Sequence, residues 1–229
     1  RVRSSAASDV YKRQAKKFFC AIKRIMDIVG SALALLLFFP ILLAIAVAIK
    51  LTSKGPVFFR QKRVGQYGEQ FVFLKFRSMK VNNDASVHKA YVKQLIAGNA
   101  QSHSGNGNGN GVYKLTKDTR ITRIGGFLRR SSLDELPQFI NVLRGEMSLV
   151  GPRPAIAYEV EAYDIWHRRR VLEAKPGITG LWQVNGRSRI KFDDMVRLDL
   201  RYAKTWSPWM DLKILLRTPV AVVFGDGAY

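Results

Sequence analysis

Apolar and polar positions divide the chain into three unlike parts. From Ile28 to Ile49 no charge appears, and Ser31 is the one strongly polar residue. At 1.5 Å per residue such a run is long enough to span a hydrocarbon layer of about 30 Å as a single helix. Two features point instead to a re-entrant hairpin. Pro40, near the middle, removes a backbone donor and breaks the helix, leaving arms of roughly 10 residues that reach about 15–18 Å and cannot cross alone. Both flanks are basic, with Lys23 and Arg24 before the run and Lys50, Lys54, Arg60, Lys62 and Arg63 after it. The positive-inside rule then holds both ends on the cytoplasmic side. Lys23 and Asp27, four apart on one helical face, can pair locally. Ser31 can satisfy in part the carbonyls near Ala34 to Leu37 that the break would free.

A second apolar stretch closes the chain. Trp206-Ser207-Pro208-Trp209 leads into Met210 to Phe224, where Lys213 and Arg217 lie four apart. The pattern fits a helix lying in the membrane interface with tryptophans at headgroup depth. It fits equally an amphipathic helix packed on the protein's own core, and Pro219 interrupts either.

Between these lies a polar body. Gly55 to Phe59 and Glu69 to Phe76 are short aromatic and β-branched runs around Gly65-Gln66-Tyr67-Gly68, the signature of a β-hairpin. Asp84 to Ala97 is weakly helical. Ser104 to Gly111 is an Asn/Gly repeat, expected to be a mobile loop. From Lys117 onward helical periodicity alternates with tight turns at Gly125-Gly126, Arg144-Gly145, Pro152 to Pro154 and Pro176-Gly177. The expected architecture is α+β and mostly helical: residues 15–54 as a membrane hairpin with basic flanks, 55–205 as a small cytoplasmic catalytic body, and 206–229 as an interfacial helix and tail. Residues 1–14 begin without Met and show no periodicity. They read as a remnant foreign to the fold or the cut edge of a longer chain.

Charge narrows the partners. Lys and Arg total 38 against 17 Asp and Glu, a formal +21 spread along 229 residues. Such a chain attracts polyanions, whether nucleic acid, anionic lipid or phosphorylated substrates. The single cysteine, Cys20, excludes an internal disulfide.

Candidate chemistry lies between Arg120 and Arg201. Arg129-Arg130-Ser131-Ser132-Leu133-Asp134-Glu135 sets two adjacent carboxylates behind two arginines. Ser132-x-x-Glu135 is also a capping box, and acids are common in a first helical turn. The functional alternative makes one carboxylate a nucleophile and its neighbour the ligand of a divalent cation, Mg²⁺ or Mn²⁺. Phosphoryl transfer from a diphosphate needs that cation and nearby arginines to offset charge. Adjacent residues at a helix start point about 100° apart, so the two acids can face different partners. Pro152-Arg153-Pro154 holds an arginine between two residues of fixed φ, as an ordinary turn or as a site. Pro176 to Arg187 offers Trp182, the amides Gln183 and Asn185, and Arg187, a set suited to a nucleobase or sugar phosphate.

Taken in order, these motifs resemble the bacterial sugar transferase family, the monotopic polyprenyl-phosphate phosphoglycosyl transferases. The residues concerned are Lys23-Arg24-x-x-Asp27 before a broken apolar hairpin, Gly55 to Phe58, Lys75-Phe76-Arg77-Ser78-Met79, Ser132 to Gln138, Ser148 to Pro154, and Pro176 to Arg187. The resemblance runs from about Lys17 to the C-terminus. It implies a covalent ping-pong reaction at the cytoplasmic face of the bacterial inner membrane. Asp134 would attack the β-phosphate of a UDP-sugar and release UMP, and polyprenyl phosphate would then take the phosphosugar. Glu135 would hold magnesium, and Arg129 and Arg153 would bind phosphate groups. Lys75, Arg77, Gln183, Asn185 and Arg187 would line the substrate site, and Asp199 would serve the nucleotide or metal site. Lys23, Arg24, Asp27 and Pro40 would set the membrane hairpin. Expected partners are the UDP-sugar, polyprenyl phosphate and anionic lipids, with a homodimer open and nucleic acid not expected. Two departures stand out: Phe39 precedes the hairpin proline where some members place Ser, and the Asn/Gly repeat belongs to no motif. The rival is a non-catalytic membrane-associated polyanion-binding or assembly protein, for which the ordered Asp-Glu and Pro-Arg-Pro motifs have no use.

Overall fold

A computed structural model describes the backbone of residues 2–81, 86–98, 120–186 and 189–224, and the side chains of 18–81, 89–98, 120–186 and 189–223. The Asn/Gly repeat, Arg187 and the side chains of residues 1–14 fall outside these ranges. The fold is mostly helical with small sheets and one long apolar helix at its N-terminal end.

That helix, α1, runs without interruption over Val2–Thr52 with Pro40 inside it, so the expected division into two separate helices is not what the backbone adopts. Proline costs one i→i−4 bond and tolerates a bent helix on either side. Ser31 does not serve the freed carbonyls either. It is fully buried and its hydroxyl has no hydrogen-bond partner. Apolar side chains around Pro40 stand out from the protein: Leu36 is 76% exposed, Leu37 72% and Phe39 62%. Residues on both sides of this stretch are buried against one body, Asp27 and Ser31 on the first arm and Ile45 and Ile49 on the second.

The first arm is held by charge. Asp27 accepts from Ser148 Oγ and from the Leu149 amide, both at 2.8 Å. Arg24 donates to the Val142 and Leu143 carbonyls at 2.7 Å. Lys23 meets Asp211 at 2.6 Å, Tyr202 Oη at 3.0 Å and the Val150 carbonyl at 3.1 Å. The expected Lys23–Asp27 pair does not form. Each residue finds a long-range partner that is itself buried, where the interaction is stronger than at a helix surface.

The hairpin forms as expected. Strand β1 (Phe58–Val64) pairs antiparallel with β2 (Gln70–Phe76) in the register Phe58↔Phe76 to Val64↔Gln70, around a 3₁₀ turn at Gln66–Gly68. The short β4 (Ala155–Ile156) pairs with the other edge of β1. A separate parallel pair joins β3 (Ser148–Val150) to β5 (Gly177–Thr179). Helices α2 (Ser86–Ile96), α3 (Arg123–Arg130) and α4 (Gln138–Arg144) follow the hairpin in the chain. Next come α5 (Ala157–Glu161), α6 (Ile165–Glu173), α7 (Leu181–Asn185), α8 (Phe192–Thr205) and α9 (Pro208–Phe224). Gly125-Gly126 is no turn, because both glycines lie inside α3. A side chain at Gly125 would collide with the Ser78 carbonyl, so the glycine allows backbone contact instead of a bend. Gly145 does end α4, in the left-handed conformation typical of a helix C-terminus.

Helix α9 packs one face on the body and leaves an apolar face open. Asp211 and Ile214 are buried, while Trp209, Leu212, Leu216, Val220 and Val223 are exposed on the other side. The core centre, formed by Phe73, Val142, Met147, Leu149, Val150, Tyr202 and Ile214, joins hairpin, α4, β3, α8 and α9.

The Lys23–Asp211 pair yields a stability prediction. Asp211→Ala strands a largely buried ammonium and should cost about 3 kcal/mol, the low end for a broken buried pair because Val150 and Tyr202 still accept from it. The exposed control Lys213→Ala should change stability by less than about 0.5 kcal/mol. Urea unfolding in mild detergent measures both, and equal effects would refute the anchoring role.

Candidate active site

The two carboxylates sit on a tight turn, not on an α-helix. Ser132, with φ 56° and ψ 15°, is in the left-handed region and opens a 3₁₀ turn at Leu133–Glu135. Its hydroxyl caps no backbone group, so the capping-box reading fails. A non-glycine residue in this region is strained by about 1–3 kcal/mol, which is tolerated where the surroundings impose it. Three residues per turn separates neighbouring side chains by about 120°. Asp134 therefore points inward and is 5% exposed, while Glu135 is half-buried and reaches Arg153 at 3.3 Å.

Lys75 is brought to Asp134 by the hairpin. Its Nζ lies 3.8 Å from Asp134 Oδ2. The buried Asn141 side chain holds β2 in place by acting as a strand neighbour. Its Oδ1 accepts from the Leu74 amide at 3.0 Å, and its Nδ2 donates to the Val72 carbonyl at 2.7 Å. Arg129, on α3, has a buried Nη1 without a hydrogen-bond partner. Gln138, at the start of α4, is 1% exposed with an unpartnered Nε2. Buried donors without partners are rare, and two of them flanking a buried acid in sequence suit a polar ligand.

Burial pushes the Asp134 carboxyl up to about 6. Lys75 opposes the shift, Glu135 adds to it, and Arg129 and Arg153 oppose it. Burial also lowers Lys75, partly countered by Asp134. Five expected site residues are thus electrostatically joined: Lys75, Arg129, Asp134, Glu135 and Arg153. Three cations around two acids leave net positive charge for a phosphate group.

The remaining expected residues lie elsewhere. Arg77 is buried under the end of α1, donating to the carbonyls of Lys54 and Ser53 and to Ser53 Oγ. Asp199, 1% exposed, pairs with Arg170 at 2.8 Å. Burial pushes Asp199 up to about 6 against the pull of that arginine. Both of its carboxylate oxygens are buried beside Arg170 without a geometrically good hydrogen bond. Arg170 donates in turn to the Arg153 carbonyl at 3.3 Å and supports the Pro-Arg-Pro turn. Gln183 donates to the Ile178 carbonyl at 3.0 Å, and Asn185 is exposed on α7. Lys23, Arg24 and Asp27 anchor α1. Sequence reasoning missed Asn141, Arg170 and Asp211, and gave Gln138 a place in a motif but no role. Asp211 alone carried a signal, as a lone acid among apolar residues.

Among the described residues no group of three His, Cys, Asp or Glu side chains could hold a metal ion. The Asp134–Glu135 pair still fits a hard cation of the magnesium type, which takes one or two carboxylates and completes its shell with water and substrate phosphate.

A family model described as bacterial sugar transferase matches residues 18–225. The chain is 45% identical over 207 residues to a galactosyl transferase, CpsE, of Streptococcus agalactiae, covering 90% of this chain and 43% of that protein. It is 40% identical over 217 residues to the undecaprenyl-phosphate galactose phosphotransferase of Salmonella typhimurium, covering 94% and 43%. With the exopolysaccharide production protein ExoY of Rhizobium meliloti it shares 38% identity over 210 residues, covering 90% and 88%. The chain thus spans less than half the length of the first two and most of the third.

The raised Asp134 pKa has a signed consequence. Its folded value, about 6, lies above the ordinary 3.8. The associated stability is present below about pH 4 and is lost as pH rises through 6. At pH 7.5 Asp134→Asn should therefore be more stable than the parent by about 2–3 kcal/mol, with the gap closing as pH falls to 4. Urea unfolding at the two pH values measures it, and a less stable Asn variant at pH 7.5 would contradict the assigned burial cost.

Proposed function

We propose that this chain, which belongs to the bacterial sugar transferase family, transfers a sugar 1-phosphate from a UDP-sugar to polyprenyl phosphate. The observation that carries the proposal is a buried carboxylate surrounded by Lys75, Arg129 and Arg153 on a strained turn. The relatives support the substrate and process classes: undecaprenyl phosphate and galactose for the Salmonella protein, exopolysaccharide production for ExoY.

The reaction runs in two displacements. An Asp134 oxygen forms a bond to the β-phosphorus, and the bond from that phosphorus to the bridging oxygen breaks. The bridging oxygen leaves with its electron pair on UMP. An oxygen of polyprenyl phosphate then attacks the same phosphorus, the Asp134–phosphorus bond breaks, and the carboxylate is restored. Lys75, Arg129 and Arg153 offset the charge that gathers on the phosphoryl oxygens. Glu135 would hold Mg²⁺ or Mn²⁺, which would supply charge to polarise the diphosphate and stabilise the leaving phosphate. Arg153, tied to Glu135, orients that carboxylate. A pKa near 6 leaves Asp134 mainly ionised at neutral pH while keeping it a stronger base than a solvated aspartate.

The reaction would occur at the cytoplasmic face of the inner membrane. Both arms of α1 are buried on one body while the apolar residues around Pro40 face outward. A helix crossing the bilayer would carry one arm away from that body, so this arrangement favours a re-entrant, monotopic helix with both ends on one side. The exposed apolar face of α9 with Trp209 favours an interfacial position for that helix.

Two outcomes test this reading. Incubation with a panel of UDP-sugars and polyprenyl phosphate should release UMP with one sugar, and only with added Mg²⁺ or Mn²⁺. Asp134→Asn should lower turnover more than about 10³-fold, and Glu135→Gln should weaken the metal dependence. Full activity in excess EDTA, or a tenth of parental turnover in Asp134→Asn, would refute the mechanism. For topology, Ala15→Cys and Lys54→Cys, each made in a Cys20→Ser background, should both resist an impermeant maleimide in intact cells and react once cells are opened. Labelling at one end alone in intact cells would mean that α1 crosses.

A further inference from the structure

A cavity of about 710 Å³ opens between the first arm of α1, the hairpin tip, the end of α6 and the α8–α9 junction. It shares no residue with the site around Asp134. Lys75 lies five residues beyond Gln70, a rise of about 17 Å along β2, and Tyr67 at the cavity wall lies further back around the turn.

The wall has two characters. Inside are three cations, Lys23, Arg24 and Lys175. Arg24 and Lys175 donate to the carbonyls that end α4, Val142, Leu143 and Gly145, and form no ion pair among the described residues. Burial, then Arg24, lower the Lys175 pKa; Asp27 partly offsets this and Lys23 adds to it. Of the wall's charged groups, Lys23 is paired with Asp211 and Glu173 with Arg169, and Asp27, held by Ser148 and the Leu149 amide, balances part of the charge of Arg24 and Lys175. At the rim Phe19 meets Trp206 edge to face at 6.4 Å, and both adjoin the apolar surfaces of α1 and α9. Aromatic side chains at a polar–apolar boundary mark headgroup depth in a membrane interface.

We propose that this cavity is a binding site for an anionic glycerophospholipid, with the headgroup phosphate against Lys175 and Arg24 and an acyl chain along Phe19 and Trp206. The proposal rests on the membrane-surface reading above but not on the reaction. The volume suits a headgroup and glycerol. A carrier phosphate at Arg24 and Lys175 would sit at the far end of α4 from the Asp134 turn, about 10 Å away along that helix, beyond bonding reach, which argues for a structural lipid and not the acceptor. Occupancy would tie α1 to α9 and neutralise repulsion within the cluster.

Cys20, the chain's one cysteine, lines the cavity and is exposed, so it reports occupancy directly. The full chain in mild detergent is reacted with a maleimide while dioctanoyl phosphatidylglycerol is titrated in. Saturable slowing of the reaction by at least about fivefold is expected, with no slowing by dioctanoyl phosphatidylcholine or inorganic phosphate. Lys175→Glu should abolish the protection, read as the ratio of labelling rates with and without lipid within that same variant. If that variant unfolds, Lys175→Gln should raise the half-protecting concentration at least about threefold. Equal protection by phosphatidylcholine, protection by phosphate alone, or full protection in a folded Lys175 variant would overturn the proposal. So would protection by farnesyl phosphate but not by phosphatidylglycerol, which would make the cavity a carrier site. Readout by labelling needs neither turnover nor a bilayer, so its failure is separable from failure of the proposed reaction or topology.

Discussion

The buried bond between Lys23 and Asp211, 2.6 Å long, closes the structure on itself. It joins the first arm of α1 to α9 across 188 residues, and Tyr202, Trp206 and the Val150 carbonyl complete the same network. Burying an ion pair is costly unless every remaining donor and acceptor is used. Here the ammonium meets three acceptors, while the carboxylate also takes bonds from Tyr202 and the Trp206 indole. Burial and then Asp211 push the Tyr202 hydroxyl well above its ordinary pKa, so it stays a donor. With Arg24 on the end of α4 and Asp27 on β3, three charged side chains within two helical turns fix α1 to three separate elements. An apolar helix without such anchors would have nothing to set its rotation or depth relative to the body.

The site depends on that frame through the core. Helix α4 receives Arg24 at its C-terminal end and carries Asn141, which bonds to β2 and places Lys75 beside Asp134. The other side is set by the Arg170–Asp199 pair, whose arginine supports the Arg153 carbonyl. The carboxylate is thus enclosed by elements that are each held by buried polar bonds. Such enclosure raises the cost of ionising Asp134 and so lowers stability at neutral pH, a cost in keeping with a site arranged for reactivity.

Charge is distributed by purpose. Of the cations with described surroundings, some are spent on carbonyls inside the protein, as Arg63 and Arg77 are. Others gather at the carboxylate turn or around the α1–α9 cavity. The formal +21 therefore does not describe a uniformly basic surface. It divides into anchors, the cluster at the carboxylate turn and a second cluster at the α1–α9 cavity, which explains why composition could not choose among polyanions.

What could be read from the sequence was local or short-ranged. The apolar run with basic flanks, the hairpin around Gln66–Gly68, the terminating Gly145 and the acid pair behind two arginines follow from hydropathy, propensity and spacing over a few residues. The family resemblance rested on the same short motifs. Tertiary structure decided the partners. Lys23 and Asp27 look like a pair four residues apart, but the folded body offers each a buried partner more than 120 residues away. Arg77 and Asp199 sit in motifs beside candidate chemistry, yet packing turns one toward the end of α1 and the other into a closed ion pair. Gly125-Gly126 reads as a turn until the Ser78 carbonyl is seen against it. Asn141 carries no sequence signal because its role, completing an open strand edge, exists only once β2 lies beside α4. A side chain's chemistry is a property of its residue type, but its partner is set by chain closure, which no local pattern encodes.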